Sequence, residues 1–194
     1  MKKLIVLILI AVAAYAAGVI VVKSSAQAAF AQEVAQINSV PQMSATIRSQ
    51  QDGVFSGSAI IDIAMEPGNQ KVMSLVQQQY YGPIMFTDSG VKLGWYYMNT
   101  DIIFDDEINK ELREALGDKV DVEDLFDIYF LSGFSGQVQG EFAFKGLEFT
   151  EDKTSVNISP ATIIVNTDVG FVHMDGEGSW PGMTVVADNN EGMT

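Results

Sequence analysis

His173 is the only histidine in the chain and stands between Val172 and Met174 in an alternating stretch. One imidazole can serve as a general base, but it cannot form a histidine pair on a metal. A serine nucleophile would need a sharp glycine-spaced elbow. The segments Gly133-Phe134-Ser135-Gly136 and Gly178-Ser179-Trp180 lack that spacing. Cysteine is absent, which removes thiol nucleophiles, thiolate metal sites, disulfides and cysteine acylation together. His173 therefore reads as a structural strand residue, and no catalytic residue, metal ligand or cofactor site emerges.

Carboxylates gather at Asp101, Asp105, Asp106 and Glu107, at Asp118, Asp121, Glu123 and Asp124, and at Asp188 and Glu191. Two carboxylates held about 5–10 Å apart can cleave a glycosidic bond, and several converging oxygens can hold calcium. No cluster has the calcium-loop pattern with its central glycine and terminal glutamate, and helix capping explains the first. Trp95, Tyr97 and Trp180 form the candidate ligand surface, suited to stacking on sugars or touching lipid, with core packing as the plainer reading. Trp180, between Gly178 and Gly182, is the best placed for exposure. The formal net charge is -14, and more negative still once Lys2, Lys3 and Lys23 are set aside. Such a surface repels phosphate backbones, so nucleic acid is excluded as a partner.

These residues need elements to hold them, and the first is the leader. Lys2 and Lys3 precede an uncharged apolar run from Leu4 to Val22, closed by Lys23. About 19 helical residues span roughly 28 Å, close to the hydrocarbon thickness of a bilayer. Residues 1–23 are thus expected to be a membrane anchor with its N-terminus in the cytoplasm. Ala26-Gln27-Ala28 and Ala29-Phe30-Ala31 offer the rival, a cleaved signal, but signal cores are shorter. Ala26, Phe30, Val34 and Ile37 recur at helical spacing, so 24–40 is expected to continue as a helical stalk that Pro41 ends. The remainder would then lie in the periplasm, carried by a single pass through a bacterial inner membrane.

Residues 41–194 read as β-rich. Met43, Ala45 and Ile47 alternate with Ser44, Thr46 and Arg48. Asp52-Gly53 marks a hairpin, and Val54 to Met65 resumes strand texture. Gly82-Pro83 and Asp88-Ser89-Gly90 mark turns before one long strand expected from Val91 to Ile103. Asp105 or Asp106 caps a helix whose stripe is Ile108, Leu112, Ala115 and Leu116, with Gly117 as its stop. Asp121 to Leu125 suits a helical turn, and Phe126 to Leu131 is equally good as strand. Further strands are expected at Gln137 to Phe144, Ser155 to Ile158, Ala161 to Asn166, Gly170 to Met174 and Met183 to Val186, with the glycine-rich Asp175 to Gly182 as a break. The fold class is mainly β (α+β): an N-terminal transmembrane and stalk helix, then an antiparallel meander with one amphipathic helix packed on it.

Gln51-Asp52-Gly53-Val54-Phe55-Ser56-Gly57-Ser58-Ala59, Tyr81-Gly82-Pro83-Ile84, Ser135-Gly136 and Gly178-Ser179-Trp180-Pro181-Gly182 follow the lysine-initiated anchor in order. In these features the chain resembles the YdgA-like bacterial envelope family, built on a domain of unknown function with an uncleaved signal anchor. The resemblance implies inner-membrane anchoring and an exported β-rich body. It carries over no catalytic residue. Typical members are longer, so it implies a short version or an N-terminal part. Anchor and absent chemistry together point to a non-enzymatic envelope protein that binds or scaffolds another envelope component, with the inner membrane and an envelope protein or lipid as partners. The alternatives are a module that handles lipid or another hydrophobic ligand, and a hydrolase of envelope glycans.

Overall fold

Period-two alternation dominates the chain after Pro41, and it builds one broad sheet. The computed structural model describes residues 19, 23–24, 26–28, 30–32, 34–116, 124–151, 154–168 and 173–187. The anchor residues Lys2, Lys3, Leu4 and Val22 lie outside the described residues. So do Gly117, the acids Asp118, Asp121, Glu123, Asp188 and Glu191, and the Asp152-Lys153 turn. Among the described residues, no helix is long and apolar enough to cross a membrane.

The strands are β1 (Met43–Asp52), β2 (Ser56–Met65), β3 (Gln70–Tyr81), β4 (Ile84–Thr87), β5 (Gly90–Leu93), β6 (Tyr96–Phe104), β7 (Phe126–Ser132), β8 (Gln137–Phe144), β9 (Leu147–Glu151), β10 (Thr154–Ile158), β11 (Ala161–Asp168), β12 (Met174–Ser179) and β13 (Met183–Ala187). The described helical residues between positions 19 and 39 belong to α1, and Asp106–Leu116 form α2. Eight strands make the main sheet in the order β1-β2-β3-β6-β7-β8-β11-β12. A second sheet runs β13-β10-β9, and β4 pairs only with β5. Neighbouring strands are antiparallel throughout.

α1 covers one face of the first strands. Phe30 shares a buried cluster with Ala45, Ala59, Ile61 and Ile63, and Val34 and Ile37 pack against it. Val19 and Ala26 join Tyr81 in a second cluster, with Tyr96 alongside. Burying a side chain of Phe30's size contributes about 2 kcal/mol by area alone. The helix runs antiparallel to β1: the Lys23 ammonium donates to the Gly53 carbonyl at one end, and Asn38 makes paired bonds with the Ala45 backbone at the other. The stripe Ala26, Phe30, Val34 and Ile37 is therefore real, but it faces the sheet. The described part of 24–40 belongs to the folded body and does not stand free as a stalk.

Several other expectations change. The long strand from Val91 to Ile103 is two strands, because the chain turns at Gly94-Trp95. A Cβ at Gly94 would meet the Ser132 carbonyl oxygen at 2.4 Å, so only glycine passes this close to β7. β3 escaped the alternation pattern, as did the short β4 and β9. Phe126 onward is strand. Of the strand expected at Gly170 to Met174, residues 170–172 lie outside the described residues, with 169; Met174 begins β12, Met174–Ser179, so most of the glycine-rich stretch expected as a break is strand. α2 forms with Asp106 and Glu107 in its first turn; Ile108, Leu112 and Leu116 are half-buried.

Candidate functional site

Register places two unlike surfaces on the sheet. The face under α1 carries Leu75, Gln77, Gln79 and Tyr81 of β3 opposite Ile102, Thr100, Met98 and Tyr96 of β6. The opposite face carries Tyr80, Tyr97 and Tyr129 in a row across β3, β6 and β7. Their ring centroids are 6.1 Å apart for Tyr80 and Tyr97, and 6.0 Å for Tyr97 and Tyr129. The Tyr80 hydroxyl donates to Gln78 Oε1 at 3.0 Å, and the Tyr129 hydroxyl to Glu141 Oε2 at 2.5 Å.

The β4–β5 hairpin folds against this row. Lys92 Nζ lies 5.3 Å from the Tyr97 ring centroid and 5.9 Å from that of Tyr129, within cation–π range. Ser89 Oγ is 3.2 Å from the Tyr97 hydroxyl. Met85 is buried and pairs across the hairpin with Lys92, so both belong to the inner face. The outer face is the alternate set, Ile84 opposite Leu93 and Phe86 opposite Val91. All four are exposed, at 50%, 61%, 77% and 59%. A hairpin whose outward face is wholly apolar departs from the usual wet outer face.

A recess of about 330 Å³ opens beside the hairpin, lined by Phe55, Ser56, Tyr80, Tyr81, Ile84, Met85 and Phe86. Its wall is mainly apolar and aromatic, in the manner of small hydrophobic-ligand sites. Tyr81 closes its floor: the ring stacks on Tyr96 at 5.8 Å, and the hydroxyl donates to Gln79 Oε1 at 2.7 Å. Burial, with the Asp52 carboxylate nearby, pushes the Tyr81 phenol up to about 12. The hydrogen bond to Glu141, then burial, raises Tyr129 likewise to about 12.

Among the described residues, part of the remaining charge forms ion pairs. Arg48 Nε donates to Asp62 Oδ2 at 2.7 Å, its Nη2 contacts Asp62 Oδ1, and Ser74 Oγ donates to that oxygen at 2.8 Å. Burial alone would raise the Asp62 carboxyl, but Arg48, Ser74 and Lys71 outweigh it and hold it below the usual range. Asp101 is raised by burial and by Asp127. Lys145 sits 2.5 Å from Asp124 and 3.3 Å from Asp127. Asp101 and Asp127 are exposed on adjacent strands of the sheet, not opposed across a cleft. His173 is 89% exposed and 3.2 Å from Asp168. Among the described residues, no three His, Asp or Glu side chains are grouped to hold a metal ion.

The three candidate ligand residues are not brought together. Trp95 lies where β5 turns into β6, edge-on to Phe134 at 5.5 Å. Tyr97 is buried beneath the hairpin. Trp180 follows β12, near the start of β11 and so at the other end of the sheet, and is 60% exposed. The surface that does assemble, from Ile84, Phe86, Val91, Leu93 and Phe55, was missed. Its signal was present as alternation on both sides of Asp88-Ser89-Gly90, but reading Val91 to Ile103 as one strand absorbed half of it.

No curated protein matches the chain, and no solved structure does. One family model, described as bacterial protein of unknown function, covers residues 1–194, and the chain belongs to that family, DUF945.

Proposed function

We propose that the protein is a membrane-tethered, non-enzymatic envelope protein: the apolar run that begins at Leu4 crosses a bacterial inner membrane once, and the sheet stands on the periplasmic side to bind or scaffold another envelope component. The finer kinship with YdgA-like proteins is part of the same proposal. One observation carries it. Val19, within the last turn of the apolar run, is 1% exposed and packed beside Tyr81 at the end of the sheet. Chain leaving the run thus enters the domain at once, with Lys23 bonded to Gly53, and no spacer separates the two. Alkaline extraction of membranes tests the tether: the full-length chain should stay in the pellet, and its release into the supernatant would contradict the reading.

The recess favours a second reading, a lipid-handling module. Phe55, Tyr81, Ile84, Met85 and Phe86 wall an apolar space of about 330 Å³ at the end of the sheet where the apolar run enters. Native mass spectrometry of the detergent-purified chain should then retain an acyl-chain adduct, lost in a Met85→Asp variant. An adduct-free spectrum for the unaltered chain would remove this reading and leave the first untouched.

A further inference from the structure

Among the described residues the hairpin's outer face has no partner, and its position names one. Gly82 donates its N–H to the Trp95 carbonyl, and Trp95 donates in turn to the Ser132 carbonyl, so the hairpin springs from the same end of the sheet as Tyr81 and Tyr96. That end receives Val19 and Lys23. Phe55 in the β1–β2 turn and Phe134 in the β7–β8 turn are there too, 54% and 56% exposed. Residues 1–18 lie upstream of Val19, and from Leu4 they are uncharged and apolar. The same end of the sheet therefore gathers the exit of an apolar run and the large exposed apolar side chains Phe55, Ile84, Phe86, Val91, Leu93 and Phe134.

We propose that the β4–β5 hairpin is a membrane-dipping element, its outer face seated at the boundary between headgroups and acyl chains of the bilayer that the leader crosses. The inference rests on the tether proposed above and adds a second, reversible contact. Its occupant is lipid because the patch lies at the end of the sheet where the apolar run enters the domain, and because aromatic and aliphatic side chains without charge suit that boundary. Lys92 lies on the inner face, over the tyrosines. The inner packing of Met85 and Lys92 supplies the stiffness that a two-stranded hairpin lacks alone.

The cysteine-free sequence makes the test direct. Full-length Phe86→Cys, Leu93→Cys, Ile10→Cys and Ile163→Cys variants are labelled with an environment-sensitive fluorophore and reconstituted in vesicles of phosphatidylethanolamine and phosphatidylglycerol. Some vesicles also carry lipids with a nitroxide high on the acyl chain. Phe86 and Leu93 are largely exposed, so neither change disturbs the fold. Labels at 86 and 93 should be blue-shifted and quenched by the nitroxide lipid, while the label at 163, on β11, stays water-like. Water-like emission at 86 and 93 would overturn the proposal, and so would a blue shift that nitroxide lipid does not quench, which would mean a protein partner or a second copy. The label at position 10 separates the two ideas. Quenching there, with none at 86 or 93, removes the dipping hairpin alone, whereas no quenching at any of the three removes the tether as well.

Discussion

Val19 and Tyr81 share one buried cluster, although they stand 62 positions apart in sequence with the whole first hairpin between them. The contact joins the leader to the third strand and makes α1 a structural part of the sheet domain. Removing apolar volume from α1 must therefore cost the domain stability. Phe30→Ala should lower unfolding free energy by about 3 kcal/mol, and the exposed Ser24→Ala should stay within about 0.5 kcal/mol. Urea denaturation followed by tryptophan fluorescence measures both. Equal midpoints for the two variants would show α1 to be a free stalk.

Gly94 sets the path of the chain from β5 into β6. Its Cβ position lies 2.4 Å from a backbone oxygen that cannot move without disturbing β7. Gly94→Ala should cost about 2 kcal/mol or more, in the range of overpacked sites, and should alter the emission of the neighbouring Trp95. At Gly90 nothing lies within 4 Å of the Cβ position, but its φ is +103°. Gly90→Asn should therefore be milder, since asparagine tolerates that conformation better than alanine.

Tyr81 and Tyr129 should ionise late. Both phenols are pushed up to about 12, against an ordinary value of 10.0. A raised folded value means that the neutral form is favoured, so this stabilisation is complete below pH 10 and is lost as pH rises toward 12. Absorbance near the phenolate band should show a late phase close to pH 12, and Tyr129→Phe should reduce its amplitude. A Tyr129→Phe variant with an unchanged late phase would contradict the Glu141 contact.

The Arg48–Asp62–Ser74 cluster predicts behaviour in acid. The folded Asp62 carboxyl lies below its ordinary 3.8, so its contribution is present above that value and disappears as pH falls through the folded value. Asp62→Asn should destabilise the domain at neutral pH, with the gap from the unaltered chain closing in strong acid. Denaturation midpoints collected across pH would reveal this, and a gap independent of pH would show the loss to be packing and not charge.

Much of the framework was legible. β1, β2, β8, β10, β11 and β13 fall where alternation placed strands, and the acidic cap marked the start of α2. The rest was hidden for identifiable reasons. β3 buries Gln77 and Gln79 on the face where a pattern rule expects apolar residues, so its alternation is masked. β12 is exposed along its length and contains Gly176 and Gly178, which read as turn composition. The stripe of α1 was visible, but its partner was not, because periodicity reports a buried face without saying what buries it. The candidate surface failed in the opposite direction. Trp95, Tyr97 and Trp180 were chosen by residue type, and the sheet scatters them. Ile84, Phe86, Val91 and Leu93 look like ordinary core until register shows them facing outward.

The most direct test of the account is the topology of the full-length chain in cells. Single-cysteine variants Lys2→Cys and Glu177→Cys, in an otherwise cysteine-free sequence, would be treated in spheroplasts with a membrane-impermeant thiol reagent. Position 177 should react at once and position 2 only after the membrane is opened, with both variants in the membrane fraction. Immediate labelling at both positions, or at neither, would contradict a single crossing with the sheet outside.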